Sequence, residues 1–161
     1  MRAAVLTVSD SVCAGTRSDR SGPAVRARLE EAGWVVIEGA TPDEANMISA
    51  RLTQWADSGH VDAVFTTGGT GLAARDVTPE ATRAVLHREI PGISEWMRFQ
   101  GMQKTRRAVL SRGIAGTRGK CVIVNLPGSP AGARESIESI LDLIPHIIDL
   151  LRGNTEHGNS R

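Results

Sequence analysis

The stretch TTGGTGLAARDVTPEAT, Thr66 to Thr82, decides how this chain is read. An apolar, β-branched run from Val61 to Thr66 enters it directly, three glycines follow at Gly68, Gly69 and Gly71, and Thr78-Pro79-Glu80 has the form of a helix start. Thr78 is the expected cap and Pro79 belongs to the first turn, where its missing N–H costs nothing. Strand, glycine loop and helix in that order form the unit of a wound α/β sheet.

Working outward, the same alternation recurs on both sides. Ala3 to Val8 reads as a first strand, ending in Ser9-Asp10-Ser11. A helix is expected from Pro23 to Ala32, stopped by Gly33. Trp34 to Glu38 reads as the second strand. From Glu44 to Asp57, Ala45, Ile48, Leu52 and Trp55 stand at spacings of three and four, which makes one helix face. Beyond the central stretch, Ala81, Val85 and Leu86 form the next inner face, and a helix from Ile93 to Gln100 is expected to turn Trp96 and Met97 inward. Ala108 to Ala115 and Lys120 to Leu126 flank Gly116 to Gly119, which suggests an antiparallel hairpin with a buried second arm. A last helix from Gly132 to Leu151 repeats Ile137, Ile140, Leu141, Ile144, Ile147, Ile148 and Leu151 at helical spacing and is expected to kink at Pro145. The pattern predicts a single α/β domain over residues 1–152, a mostly parallel sheet covered by helices on both faces, and a frayed tail at 153–161.

Composition narrows the function. With 19 basic and 18 acidic residues and a net charge of +1, the 161-residue chain has no global field for nucleic acid or anionic lipid, and only 3% of it is aromatic. Any anion site must therefore be local. Cys13 and Cys121 have no Cys-x-x-Cys partner and read as small buried apolar residues. His60, His87, His146 and His157 form no ligand-spaced set. The N-terminus enters a strand at once and no segment is long and apolar enough for a membrane span, so the expected compartment is the cytoplasm.

In open parallel sheets, ligands bind beyond the carboxyl ends of the strands. Around Gly68, Gly69, Thr70 and Gly71, backbone amides can approach a ligand with little side chain in the way, and the helix start that follows adds unpaired N–H groups. Phosphate oxygens suit such amides, although a tight turn has the same composition. The loop is neither a Walker A nor a Rossmann motif. Asp76 lies inside it and is a candidate cation ligand. Asp43, in TPDE, either serves likewise or caps the helix that begins at Glu44; the residues alone leave both open. Two carboxylates on adjacent loops could hold magnesium against a nucleotide's phosphates. NLPGSP, from Asn125 to Pro130, adds Pro127, Gly128 and Ser129 at another strand-to-helix junction. Ser9 and Asp10 close the first strand, and Arg17, Arg20, Ser111 and Arg112 are further candidate anion contacts.

Together LTVSDSVCAGTRSDRSGP, TPDE, TTGGTGLAARDVTPEAT, AVLSRGIAGTRG and NLPGSP resemble the MogA/MoaB family, over residues 3–152. The resemblance implies a three-layer α/β/α fold, a homotrimer, and a molybdopterin adenylyltransferase that uses Mg2+ and ATP. The family's two functional aspartates fall on Asp43 and Asp76. Ser9, Asp10, Gly68 to Gly71, Ser111 and Pro127 to Ser129 are then the expected ATP and molybdopterin contacts, and the product is expected to pass to a molybdate-inserting protein. Two competing readings are a MoaB-type paralogue that binds pterin or nucleotide with little catalysis, and a scaffold module like that of gephyrin.

Overall fold

In the computed structural model, which describes residues 1–154, every residue of β1 (Arg2–Val8) after Arg2 is buried. The same holds along β3 (Ala63–Thr67) and β6 (Cys121–Leu126). Strands without a polar face need cover on both sides, and a parallel sheet inside helical layers provides it. The sheet has six strands in the order β2-β1-β3-β6-β5-β4. β2 (Val35–Thr41), β1, β3 and β6 run parallel. β5 (Ala115–Arg118) and then β4 (Arg88–Glu89) add antiparallel pairing at one edge.

Helices divide the core into two layers. On one face α2 (Ser21–Glu31), α5 (Pro91–Met102), α6 (Pro130–Ile140) and α7 (Leu143–Leu151) bury Leu29, Ile93, Ile137 and Ile148 against Val5 and Phe65. On the other, α3 (Ala45–Asp57) and α4 (Thr78–Arg83) bury Ile48, Leu52 and Ala81 against Leu6 and Ile123. The expected three-layer architecture is therefore present. From β1 the chain crosses one face through α2 to reach β2, then the opposite face through α3 to reach β3 on the other side of β1. That reversal opens a crevice between the carboxyl ends of β1 and β3, the usual ligand position in such sheets.

Several expectations are corrected. The Gly/Ser/Arg-rich loop after β1 contains a short helix, α1 (Asp10–Cys13), capped by the Ser9 hydroxyl, which accepts from Val12 N. Helix α2 begins at Ser21, ahead of Pro23, because the Asp19 carboxylate accepts the Ser21 and Gly22 amides. The first hairpin arm expected from Ala108 is instead a 3-10 helix (Arg106–Leu110) with exposed Val109 and Leu110, and β5 starts only at Ala115. Trp96 is exposed, stacked on Phe99, with its indole N–H donated to the Ser139 carbonyl. Met97 is buried as expected. Cys121 is buried, whereas Cys13 is exposed. The terminal helix breaks at Leu141 and Asp142 between α6 and α7, four residues ahead of Pro145. There a proline ring collides with a continuing helix's carbonyl. Just ahead of the tail, Arg152 is tied to Asp62 at 2.7 Å; residues 155–161, including His157, lie outside the described residues. Among the described residues no helix is long and apolar enough to cross a membrane.

Candidate functional site

Two glycines with positive φ, Gly68 at 94° and Gly69 at 64°, carry the chain out of β3. A side chain there would be strained by the backbone alone. It would also collide, with the Val8 carbonyl at Gly68 and with the Thr78 hydroxyl at Gly69. A Cβ on Gly128 would stand 3.2 Å from the Gly68 Cα, so the NLPGSP turn lies directly against this loop. Thr78 pins the loop from the far end: its hydroxyl donates to the Gly68 carbonyl at 3.0 Å and its amide to the Gly69 carbonyl at 3.1 Å. The expected capping role of Thr78 is thereby replaced, since it is the first residue of α4 and Val77 takes the cap position.

Asp43 does not cap α3; its cap residue is Glu44, which makes no side-chain capping bond. The carboxylate turns instead to the end of β1, where Oδ2 accepts the Asp10 amide at 2.8 Å, while the Asp43 amide donates to Asp10 Oδ1 at 3.0 Å. This reciprocal pair locks two loops together across the sheet edge. Arg75 closes over them with Nε and Nη2 on the Asp10 carboxylate at 3.0 and 2.9 Å. The Asp43 amide first, then Arg75, hold the Asp10 carboxyl below the ordinary carboxylate range. Asp76 sits in a tight turn, its Oδ2 accepting the Ala73 amide at 2.9 Å.

Arg112, expected as an anion contact, has another employment. Its Nε donates to the Gly71 carbonyl at 2.7 Å and its Nη2 to the Asp76 carbonyl at 2.6 Å, while Nη1 pairs with the Glu80 carboxylate. The pairing holds Glu80 below its usual range. The Arg112 backbone amide donates to the Thr70 carbonyl at 2.9 Å. Arg20 lines neither of the clefts described next.

Ser9, Asp10, Asp43, Gly68, Gly69, Asp76, Gly128 and Ser129 line one open cleft of about 580 Å³. Neither aspartate is turned into the core. Val8, Ser11, Arg17 and Pro130 complete the lining. Arg17 makes no ion pair among the described residues, and its Nη2 donates to the Ser9 hydroxyl at 3.3 Å. The remaining candidates, Thr70, Gly71, Ser111 and Pro127, line an adjoining, more apolar cleft of about 670 Å³ between α5, the 3-10 helix and α6. Ser129 borders both. Its hydroxyl caps α6 by accepting the Gly132 amide at 3.1 Å. The second cleft's α5 wall, including Met97 and Gln100, escapes sequence reading because its spacing looks like an ordinary helix face. The short helix that positions Ser9 and Asp10 has a legible signal, a serine followed by an acidic residue in the first turn.

As chemistry, the polar cleft combines glycine-loop amides, one guanidinium and two carboxylates with no cationic side chain on them among the described residues. No group of three or more His, Cys, Asp or Glu placed to hold a metal occurs among the described residues. A divalent ion at Asp43 and Asp76 would need oxygen ligands from elsewhere, as magnesium bound with a phosphorylated substrate does.

Residues 4–146 match a family described as "Probable molybdopterin binding domain". The chain is 39% identical to a molybdopterin adenylyltransferase of Helicobacter pylori over 98% of its own length and 91% of that protein's. It is 41% identical to the molybdenum cofactor synthesis protein cinnamon of Drosophila melanogaster, covering 91% of this chain and 25% of that longer protein. Among solved structures, the molybdopterin biosynthesis enzyme MoaB of Thermus thermophilus superposes with a TM-score of 0.88 at 50% identity, over 94% of this chain and 96% of that one.

Proposed function

Because the chain belongs to the molybdopterin-binding domain family, we propose that it is a molybdopterin adenylyltransferase acting on ATP in molybdenum cofactor biosynthesis. A terminal phosphate oxygen of molybdopterin attacks the α-phosphorus of ATP. A new P–O–P linkage forms, the bond from the α-phosphorus to the bridging oxygen breaks, and pyrophosphate leaves with that oxygen. No covalent enzyme intermediate is needed, so the protein's work is positioning and charge neutralisation. The observation that carries the reading is the convergence of Asp43, Asp76 and the Gly68–Gly69 backbone on one cleft at the switch point of the sheet.

Asp43 and Asp76 suit magnesium, which takes one or two carboxylates and completes its octahedron with water and phosphate. Bound there it would supply charge neutralisation at the triphosphate. The loop amides and Arg17 face the phosphate oxygens, and Asp10 keeps Asp43 in place through the reciprocal pair. The adjoining apolar cleft has room for the pterin ring system, with Ser111, Pro127 and Ser129 at its border. The reading also includes a homotrimer, to which exposed Trp96, Phe99 and Met102 on α5 offer apolar surface, and hand-over of product to a molybdate-inserting protein in the cytoplasm.

The test is incubation with Mg-ATP and molybdopterin, following pyrophosphate release and the mass of the adenylylated product. Both should appear stoichiometrically. The second reading is a MoaB-type paralogue that binds pterin or nucleotide with little catalysis, and the chain is 50% identical to a protein that bears the MoaB name. Pterin binding without pyrophosphate release would select it.

A further inference from the structure

We propose that Arg112 is a positioning residue, whose guanidinium sets the backbone of the Gly71–Asp76 loop and so aims the Asp76 carboxylate at the metal-bound triphosphate. The inference rests on the adenylyl-transfer reading and adds to it a group that touches neither substrate. An arginine side chain offers donors in a rigid planar fork. Here Nε, Nη1 and Nη2 are all engaged, by the Gly71 carbonyl, Glu80 and the Asp76 carbonyl. They are not free for an incoming anion, while the two carbonyls they hold bracket the loop five residues apart.

Beyond the side chain, the Arg112 backbone amide donates to the Thr70 carbonyl at 2.9 Å, and other contacts on the loop are few. Leu72 to Arg75 are exposed, and Thr78 fixes only the Gly68–Gly69 end. At the other end stand Asp76's own local turn and the exposed Arg75–Asp10 pair. Arg112 is itself held from α5, where Arg98 Nη1 donates to the Ser111 and Gly113 carbonyls at 3.3 and 3.1 Å on either side of it. A rigid helix, a bracketed arginine and two loop carbonyls thus form a continuous support behind Asp76. With the Asp76 carbonyl held and Oδ2 on the Ala73 amide, Oδ1 is the oxygen left for the cleft.

Arg112→Lys keeps the charge but cannot present three coplanar donors. Glu80→Gln removes the charge of one partner and leaves both carbonyl contacts. Three readouts apply. In ligand-free protein, hydrogen exchange of the 70–78 amides should speed up at least about tenfold in Arg112→Lys, and less in Glu80→Gln, with other amides unchanged. In calorimetry, Mg-ATP binding should weaken roughly 10- to 100-fold, the usual scale for losing an outer support of a metal ligand, while binding of free pterin stays put. In turnover, the Mg2+ concentration for half-maximal rate should rise with the KM for molybdopterin unmoved. Unchanged loop exchange, or loss of Mg-ATP binding only in step with global melting, would overturn the clamp. Weaker pterin binding with an unchanged Mg2+ requirement would make Arg112 an anion contact. Normal Mg-ATP binding by the parent chain without turnover would defeat the transfer reading while leaving the exchange and binding arms to judge the clamp.

Discussion

Replacing Gly68 with alanine tests the site's construction at its tightest point. The residue has φ 94°, and an added Cβ would overlap the Val8 carbonyl at the end of β1. The backbone conformation alone costs a non-glycine residue about 1–2 kcal/mol. Relieving the overlap means moving either the buried end of β1 or the loop, and overpacking of this kind costs about 1–3 kcal/mol. A total of about 2–5 kcal/mol is survivable against a usual stability of about 5–15 kcal/mol. For a chain of this size it should lower the melting temperature by roughly 5–15 °C. The loop will be the part that gives, and Gly128, in contact with Gly68, moves with it. A shift on the order of 1 Å in a positioning loop is worth about 100-fold in rate. Gly119→Ala is the control: its φ of 55° carries the backbone cost, but nothing lies within 4 Å of the new methyl group. Scanning calorimetry with pyrophosphate release should therefore separate the pair, with both destabilised and only Gly68→Ala slowed by about two orders of magnitude. Turnover of Gly68→Ala within threefold of the parent chain would refute the argument that this close approach shapes the site.

Asn125→Leu should lose about 2–4 kcal/mol, since buried Asn125 donates to Thr66 and Thr82 and accepts from the Ile114 amide, and its removal leaves those groups unpaired; denaturant unfolding with a loss under about 0.5 kcal/mol would contradict the network's importance. A thiol reagent applied to the folded protein should modify exposed Cys13 and spare Cys121, whose thiol burial pushes up to about 12, and equal labelling would show the fold misassigned around β6. Asp10, Asp57 and Glu80 have lowered folded-state pKa values, so each stabilises the fold above its unfolded value near 4 and loses that contribution as pH falls through the lower folded one. Melting temperature should thus hold from neutral pH to about 5 and drop below about 4, and a rise on acidification would reverse the sign of the account.

Much of the architecture is legible in the residues because it is locally encoded. The runs at β1, β3 and β6 are dominated by small and β-branched apolar residues, interrupted only by Thr7, Thr66, Thr67 and Asn125 after Arg2, and Ile48, Leu52 and Trp55 mark α3 by period alone. Errors fall where tertiary context outweighs the local pattern. Ala108-Val109-Leu110 is apolar enough for a strand but folds as a 3-10 helix beside α5, and β2 continues through Glu38 to Thr41 because an edge strand tolerates polar side chains. Motif composition identifies the cleft's members, but their wiring joins distant positions. Asp10 meets Asp43 across 33 residues and Arg75 across 65, and Arg112 reaches Gly71 across 41. No local period records such pairings. That Asp43 does not cap α3, which the sequence left open, follows from a bond between its carboxylate and the distant amide of Asp10.

The central claim is that Asp43 and Asp76 act together at one phosphate site, and single-turnover transfer of labelled adenylate from ATP to molybdopterin by Asp43→Asn, Asp76→Asn and the double variant tests it directly. The account predicts that each single variant, still folded, transfers at least about 100-fold more slowly, and that the double variant is little worse than either, as expected of groups acting as a unit. Near-parent transfer by either single variant, or strictly multiplicative losses in the double, would contradict it.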